Sequence, residues 1–228
     1  MEPTPEPRIK ICCIVSLDEM RLAVRCGASA VGLVSAMPSG PGPIPEEAIA
    51  GIAKMIPPPV ASFLLTSKQR ADDIIAQQKK CRTNTIQLCD RIESNGFQRL
   101  RAALPGIALV QVIHVNGSEA IEDARAVAPF VDALLLDSGN PKGKIKELGG
   151  TGRVHDWSIS KKIRESVDVP VFLAGGLTPE NVGKAISEVA PFAVDVCSGV
   201  RTEGKLDVAK LLRFCTEVHA HNVLNARP

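Results

Sequence analysis

Two residues in this chain have the chemistry and the setting of an acid–base pair. Asp137 ends a wholly apolar run, Ala133 to Leu136. A carboxyl group at the rim of a low-dielectric interior is favoured in its neutral, proton-donating form. The same position equally suits a loop cap or an ion pair with a lysine such as Lys142. Cys12 lies two residues after Lys10, and strand alternation points both side chains the same way. A thiolate beside an ammonium is a base or a nucleophile. Unpaired cysteine is also among the most buried residue types, so Cys12 taken alone reads as a small core residue. Cys13, of opposite parity, is expected to face the other side as packing.

Two small-residue turns suit an anion. Val169 to Leu173 is apolar with one proline, side chains vanish at Gly175 and Gly176, and a helical pattern then carries Val182, Ala185 and Ile186. Thr178 is the expected N-cap of that helix, with Pro179 at its first position. Bare backbone and the free N–H groups of a helix N-terminus favour a phosphate there, although a tight turn without ligand needs the same residues. A second such turn, Cys197-Ser198-Gly199-Val200, follows another apolar run.

The elements that must position these residues repeat. Apolar strand-like runs alternate with helical patterns eight times, beginning at Arg8–Ile14 and ending with a helix carrying Leu206 to Val218. Near-continuous apolar strands mark a parallel sheet covered by helices. Eight units in this length suit a single-domain (β/α)8 TIM barrel over residues 8–218, flanked by a proline-rich tail, 1–7, and a C-terminal tail, 219–228. An open doubly wound sheet is the competing architecture. In a barrel the working groups follow the strands, which places Cys12, Ser35, Cys89, Asp90, His114, Asp137 and Ser198 at one end. The paired turns after strands seven and eight then form a phosphate site. Leu148-Gly-Gly-Thr-Gly152 is expected to be a lid or a connector, and His155 a surface or capping residue.

Composition excludes several classes. A net charge of +2, 3% aromatics and no tyrosine give no case for a nucleic-acid surface or an acidic membrane. The first residues lack the apolar stretch of a signal peptide, and no apolar run approaches bilayer length. Seven cysteines with no CxxC pair argue against a disulfide framework or a zinc cage and for a reducing cytoplasm.

The order of motifs resembles the phosphoribosylanthranilate isomerase family across Lys10 to about Phe214. The motifs are Lys10-Ile-Cys12, Leu134-Leu-Leu-Asp137, Gly149-Gly-Thr-Gly152 with Asp156-Trp157, Phe172-Leu-Ala-Gly-Gly-Leu177 with Pro179-Glu-Asn-Val182, and Asp195-Val-Cys-Ser-Gly-Val200 with Gly204-Lys205 and Asp207. The resemblance implies a cofactor-free, metal-free Amadori rearrangement of a phosphorylated substrate in tryptophan biosynthesis. By analogy Asp137 is the general acid and Cys12 the general base. Gly175, Gly176, Ser198 and Gly199 would hold the phosphate, with Lys10 and Arg201 as further substrate contacts. Four departures from the family pattern stand out: Cys13 in place of glycine, no arginine in Ser35–Pro43, Cys89-Asp90 in place of His-Gly, and Arg201 in place of glutamate. Losing one bidentate carboxylate contact costs roughly 1.5–3 kcal/mol, which Arg201 or a loop lysine could restore. A paralogue acting on another phosphorylated aminosugar and a non-catalytic phosphate-binding barrel are the alternative readings.

Overall fold

Alternation along the apolar runs sorts their side chains onto two faces, and the sheet they form therefore has an inside and an outside. The structure, a computed structural model, describes residues 7–225 except 142, 144, 145 and 151, with side chains through residue 220. Among these residues eight strands close into a parallel barrel in chain order. They are β1 (Arg8–Ile11), β2 (Ala30–Val34), β3 (Ala61–Thr66), β4 (Thr85–Leu88), β5 (Ala108–His114), β6 (Ala133–Asp137), β7 (Val171–Leu173) and β8 (Ala193–Val196). The outer helices are α1 (Leu17–Arg25), α2 (Glu46–Ala53), α3 (Ala71–Cys81), α4 (Gly96–Ala103), α5 (Glu119–Val127), α6 (Trp157–Glu165), α7 (Val182–Val189) and α8 (Val208–Asn225). The fold is the expected (β/α)8 barrel.

Two cores result. Ile9, Ile11, Val31, Leu33, Leu134, Leu136 and Val194 point outward and pack beneath the helices. Ala30, Phe63, Leu65, Val110, Leu135, Phe172 and Ala193 fill the interior. Helix α1 starts where its sequence says: the Glu19 amide donates to Ser16 Oγ at 3.2 Å, and Glu19 Oε2 accepts from the Val15 amide at 3.2 Å. Helix α3 begins at Ala71, and the hydroxyl of Ser67 just before it donates to Ala36 O at 3.0 Å. The terminal helix runs to Asn225, past the tail boundary at 219. The N-terminal tail lies almost wholly outside the described residues.

The barrel closes between β1 and β8, in parallel register with Lys10 opposite Asp195. Both side chains point inward, and Lys10 Nζ donates to Asp195 Oδ2 at 2.8 Å with Lys10 wholly buried and Asp195 6% exposed. Burial would lower the Lys10 pKa, but the charge of Asp195 and then of Cys12 outweigh it, so the ammonium is held above its ordinary range. The Phe63 ring lies 5.1 Å from the same nitrogen. Lys10 is thus committed to the barrel floor. It is not among the residues lining the pocket above, which corrects its assignment as a substrate contact.

A buried pair is costly to break because the survivor keeps its desolvation penalty. Lys10→Met is therefore expected to lower stability by about 3–5 kcal/mol in urea unfolding. A paired Lys10→Met/Asp195→Leu change should recover most of that loss. Equal losses for the single and paired changes would show that shape, not charge pairing, sets the cost.

Candidate active site

The strands deliver their last side chains to one pocket at the C-terminal mouth, about 690 Å3 in volume including its opening. Cys12, one residue past β1, and Asp137, the last of β6, both line it. Cys12 is 6% exposed and Asp137 8%. Cys12 fits because β2 carries a glycine beside it: a Cβ on Gly32 would lie 2.9 Å from Cys12 Sγ. Asp137 Oδ1 accepts from the amide of Ser138 at 2.7 Å, which fixes the carboxyl's orientation. It therefore caps its loop, one of the roles its position suggested, while lining the pocket. Lys142, the other suggested partner, lies outside the described residues.

The two glycine turns meet. Gly175, Gly176 and Ser198 line the pocket, whereas Gly199 packs behind it: a Cβ there would fall 1.9 Å from Leu177 O. Gly175 and Gly176 have φ of +82° and +62°, in the region that favours glycine. A Cβ on Gly176 would meet the backbone of Arg153 and Val154 at 2.7 Å. Thr178 makes the expected cap contact, its Oγ1 accepting from the Glu180 amide at 3.2 Å and its carbonyl from the Val182 amide at 3.0 Å, while regular helix α7 starts at Val182 after a turn over Thr178 to Asn181. Asn181 braces that turn, accepting from the Thr178 amide at 2.8 Å and donating to Gly176 O at 2.9 Å. A 3-10 turn, Ser198–Val200, follows β8. The amides at this end of the pocket belong to the two turns rather than to the first turn of α7.

Arg201 is also corrected. Its guanidinium is buried and donates to both Glu19 carboxylate oxygens, at 2.8 and 3.0 Å, to Cys13 O at 2.6 Å and to Gly204 O at 3.0 Å. It ties α1 to the loops after β1 and β8 and does not line the pocket. Burial would raise the Glu19 carboxyl's pKa, but the Arg201 hydrogen bond and the Leu206 and Val15 amides outweigh it and hold it below the ordinary glutamate range. Cys13 does not face the helices. Its φ of +61° turns it inward, where it lines the pocket.

Of the four other polar strand-end candidates, Ser35, Cys89, Asp90 and His114, Cys89 lines the pocket. Burial pushes its thiol pKa far up, which suits packing. Asp90 pairs with Lys146 at 2.7 Å, Ser35 Oγ donates to Leu65 O at 2.7 Å, and the His114 ring contacts Cys89 O at 3.0 Å.

Leu148, Gly149 and Gly150 lie across the pocket, with Gly149 against Asp137 and Gly150 against Pro41 of the loop after β2. A Cβ on Gly149 would sit 2.6 Å from Asp137 Oδ2, so this loop covers the carboxyl. His155 is half-buried rather than fully exposed. Its Nδ1 is buried against Gly175, its Nε2 contacts Ser160 Oγ at 2.7 Å, and burial lowers its pKa despite the opposing charge of Asp137. Sequence reasoning also gave no role to Gln87 and Asp195, which line the pocket with buried Gln87 Oε1 and Asp195 Oδ1 lacking partners among the described residues. Their signal was a polar residue at an inward position of an apolar strand.

Residues 10–217 match the protein family described as N-(5'-phosphoribosyl)anthranilate (PRA) isomerase. An N-(5'-phosphoribosyl)anthranilate isomerase of Methanocella arvoryzae is 34% identical over 206 residues, 90% of this chain and 94% of that protein. The crystal structure of phosphoribosyl anthranilate isomerase from Thermotoga maritima is 30% identical, with a TM-score of 0.79 over 94% of this chain and 99% of that one. A further phosphoribosyl anthranilate isomerase structure, in complex with reduced 1-(o-carboxyphenylamino)-1-deoxyribulose 5-phosphate, is 28% identical with a TM-score of 0.77 over 94% and 99% of the two chains.

Two stability measurements check this construction. Gly199→Ala must displace the Leu177 carbonyl and is expected to cost about 1–3 kcal/mol in urea unfolding; a neutral result would refute the backbone packing of the two turns. The Glu19 contribution is present above the unfolded glutamate pKa, about 4.3, and is lost as pH falls through the lower folded value. The stability gap between wild type and Glu19→Gln should therefore be widest near neutrality and close as pH drops below about 4. A gap independent of pH would mean that the carboxylate's charge is not what Arg201 holds.

Proposed function

The chain belongs to the N-(5'-phosphoribosyl)anthranilate isomerase family, and we propose that its pocket performs the Amadori rearrangement with Asp137 as acid and Cys12 as base. The observation that carries this is the convergence of both residues on one pocket that the β7 and β8 turns also line. The substrate's phosphate sits at the Gly175, Gly176 and Ser198 end, with Gly199 supporting from behind. The furanose and its aryl amine then extend between Cys12 and Asp137.

Asp137 gives its proton to the furanose ring oxygen as the C1′–O bond breaks, and the nitrogen lone pair closes a Schiff base. Its fixed orientation through Ser138 and its cover by Gly149 keep that proton aimed at substrate rather than at water. Cys12 then removes the C2′ proton, and the electrons pass through C1′ to the nitrogen. The resulting enol-amine tautomerises to the 2-keto product. C2′ is oxidised and C1′ reduced within one molecule, an aldose–ketose isomerisation of the intramolecular oxidoreductase type. The electron flow is internal and calls for no cofactor. Lys10, paired with Asp195, lies one inward position before Cys12 along the first strand. With the Lys10 and Arg201 side chains committed elsewhere, the aryl group faces Met37, Ser39 and Pro41 of the loop after β2 and Leu148 of the covering loop.

A reducing cytoplasm suits a protein whose seven cysteines are all unpaired. Among the described residues no helix is long and apolar enough to cross a membrane. The partner is a phosphorylated small molecule.

Loss of phosphoribosylanthranilate fluorescence on turnover tests the reading. Cys12→Ser and Asp137→Asn are each expected to lower kcat by about 10²–10⁴-fold with folding intact. Inorganic phosphate should compete with substrate, and a Ser198→Glu change should raise KM. Turnover surviving both catalytic substitutions would sink the mechanism; absence of turnover by folded wild type would sink the substrate.

A further inference from the structure

Three cysteines share the barrel mouth, and the proposed isomerisation uses one. Cys12 and Cys13 follow β1 and Cys197 follows β8, strands that are hydrogen-bonded neighbours with Ile11 opposite Val196. The Cys12 amide donates to Val196 O at 2.8 Å, which carries the pairing one residue beyond the strands. All three cysteines line the pocket. The left-handed φ of Cys13 turns its side chain into the pocket that Cys12 and Cys197 also line. Cys81 and Cys89, by contrast, are buried with carbonyl oxygens for partners.

We propose that Cys13 and Cys197 are a modification site, joined by a reversible disulfide on oxidation by a hydroperoxide, and that this bond shuts the pocket. Neighbouring strands lie about 4.8 Å apart. The register sets Cys12 opposite Cys197 and Cys13 one residue further on, diagonal to it, near the Cα separation of about 4.4–6.8 Å that a disulfide spans. Cys197 is the more accessible of the two, being half-buried while Cys13 is buried. The hydrogen bond from Cys13 and then the charge of Arg201 hold the Cys197 pKa below its ordinary thiol value despite burial. Cys197 is therefore the thiolate that meets oxidant first.

The thiolate sulfur attacks one peroxide oxygen, the O–O bond breaks, and the departing hydroxide leaves as water with a solvent proton. The Cys13 thiol then attacks the Cys197 sulfenic sulfur, the S–O bond breaks, and its oxygen leaves as a second water with the Cys13 proton. Two thiols supply the two electrons that reduce one peroxide. Because Cys13 adjoins Cys12 and its carbonyl is held by Arg201, drawing its sulfur to Cys197 moves the wall beside the proposed base.

The loss of activity rests on the isomerase reading; the bond itself does not, and mass spectrometry reads it separately. The full-length protein is treated with hydrogen peroxide, digested without reductant and fragmented. Wild type should yield a peptide joining the Cys12–Cys13 segment to that of Cys197. Its turnover of phosphoribosylanthranilate should fall with the yield of that peptide and return with dithiothreitol. Cys197→Ser should lose the linked peptide and keep more of its own starting activity at the same dose. Cys13→Gly identifies the partner: the link disappears if Cys13 forms it. A link retained in Cys13→Gly, or one found only between Cys12 and Cys13, would overturn the proposal. Equal peroxide sensitivity of wild type and Cys197→Ser would overturn the claim that the bond shuts the pocket. A linked peptide in a protein inactive even when reduced would support the modification site and overturn the proposed function instead.

Discussion

Lys10 and Asp195 face each other across the seam where the barrel closes, and the proposed chemistry is built directly above them. A wholly buried ammonium is tolerated only with a partner that offsets its desolvation. Here the partner comes from the strand that closes the ring, in register. The pair fixes how β1 and β8 align, and hence where Cys12, Cys13, Cys197 and Ser198 emerge. It also leaves one Asp195 oxygen without a partner among the described residues, in a pocket wall.

Above that floor the mouth is assembled from backbone as much as from side chains. Gly32 makes room for Cys12, Gly149 for Asp137, Gly175 for His155, and Gly199 for Leu177. Each lets a loop come closer than any other residue type would allow. The result is a pocket whose polar groups are held by neighbours rather than by long flexible side chains. Arg201, buried beside the mouth, is used as a fastener: with Glu19 it clamps α1 to the loops after β1 and β8.

Particular residues show where sequence reasoning reached and where it stopped. Asp137 was legible because four apolar residues and the carboxylate that ends them are consecutive, so the strand and its polar tip are read together. The Gly175-Gly176 and Ser198-Gly199 turns were legible because bare backbone between a strand and a helix is a local signal. Arg201 was misread: its partner is Glu19, 182 positions away, and no local pattern reveals such a pairing. Cys13 was misread because alternation assumes extended backbone, and a single positive φ reverses the side chain's direction. Thr178 was legible as a cap because its hydroxyl acts locally on the Glu180 amide, whereas the delay of regular helix to Val182 depends on the turn that Asn181 braces.

The chain's own order of apolar runs determined eight parallel strands, their covering helices and the end of the barrel at which polar residues gather. These follow from periodicity and local turn chemistry, which act over a few residues. Only the closed structure decided which of those polar residues face the pocket and which are consumed in holding it. That depends on strand register, on the ion pairs that desolvation enforces across the seam, and on backbone approaches that glycine permits.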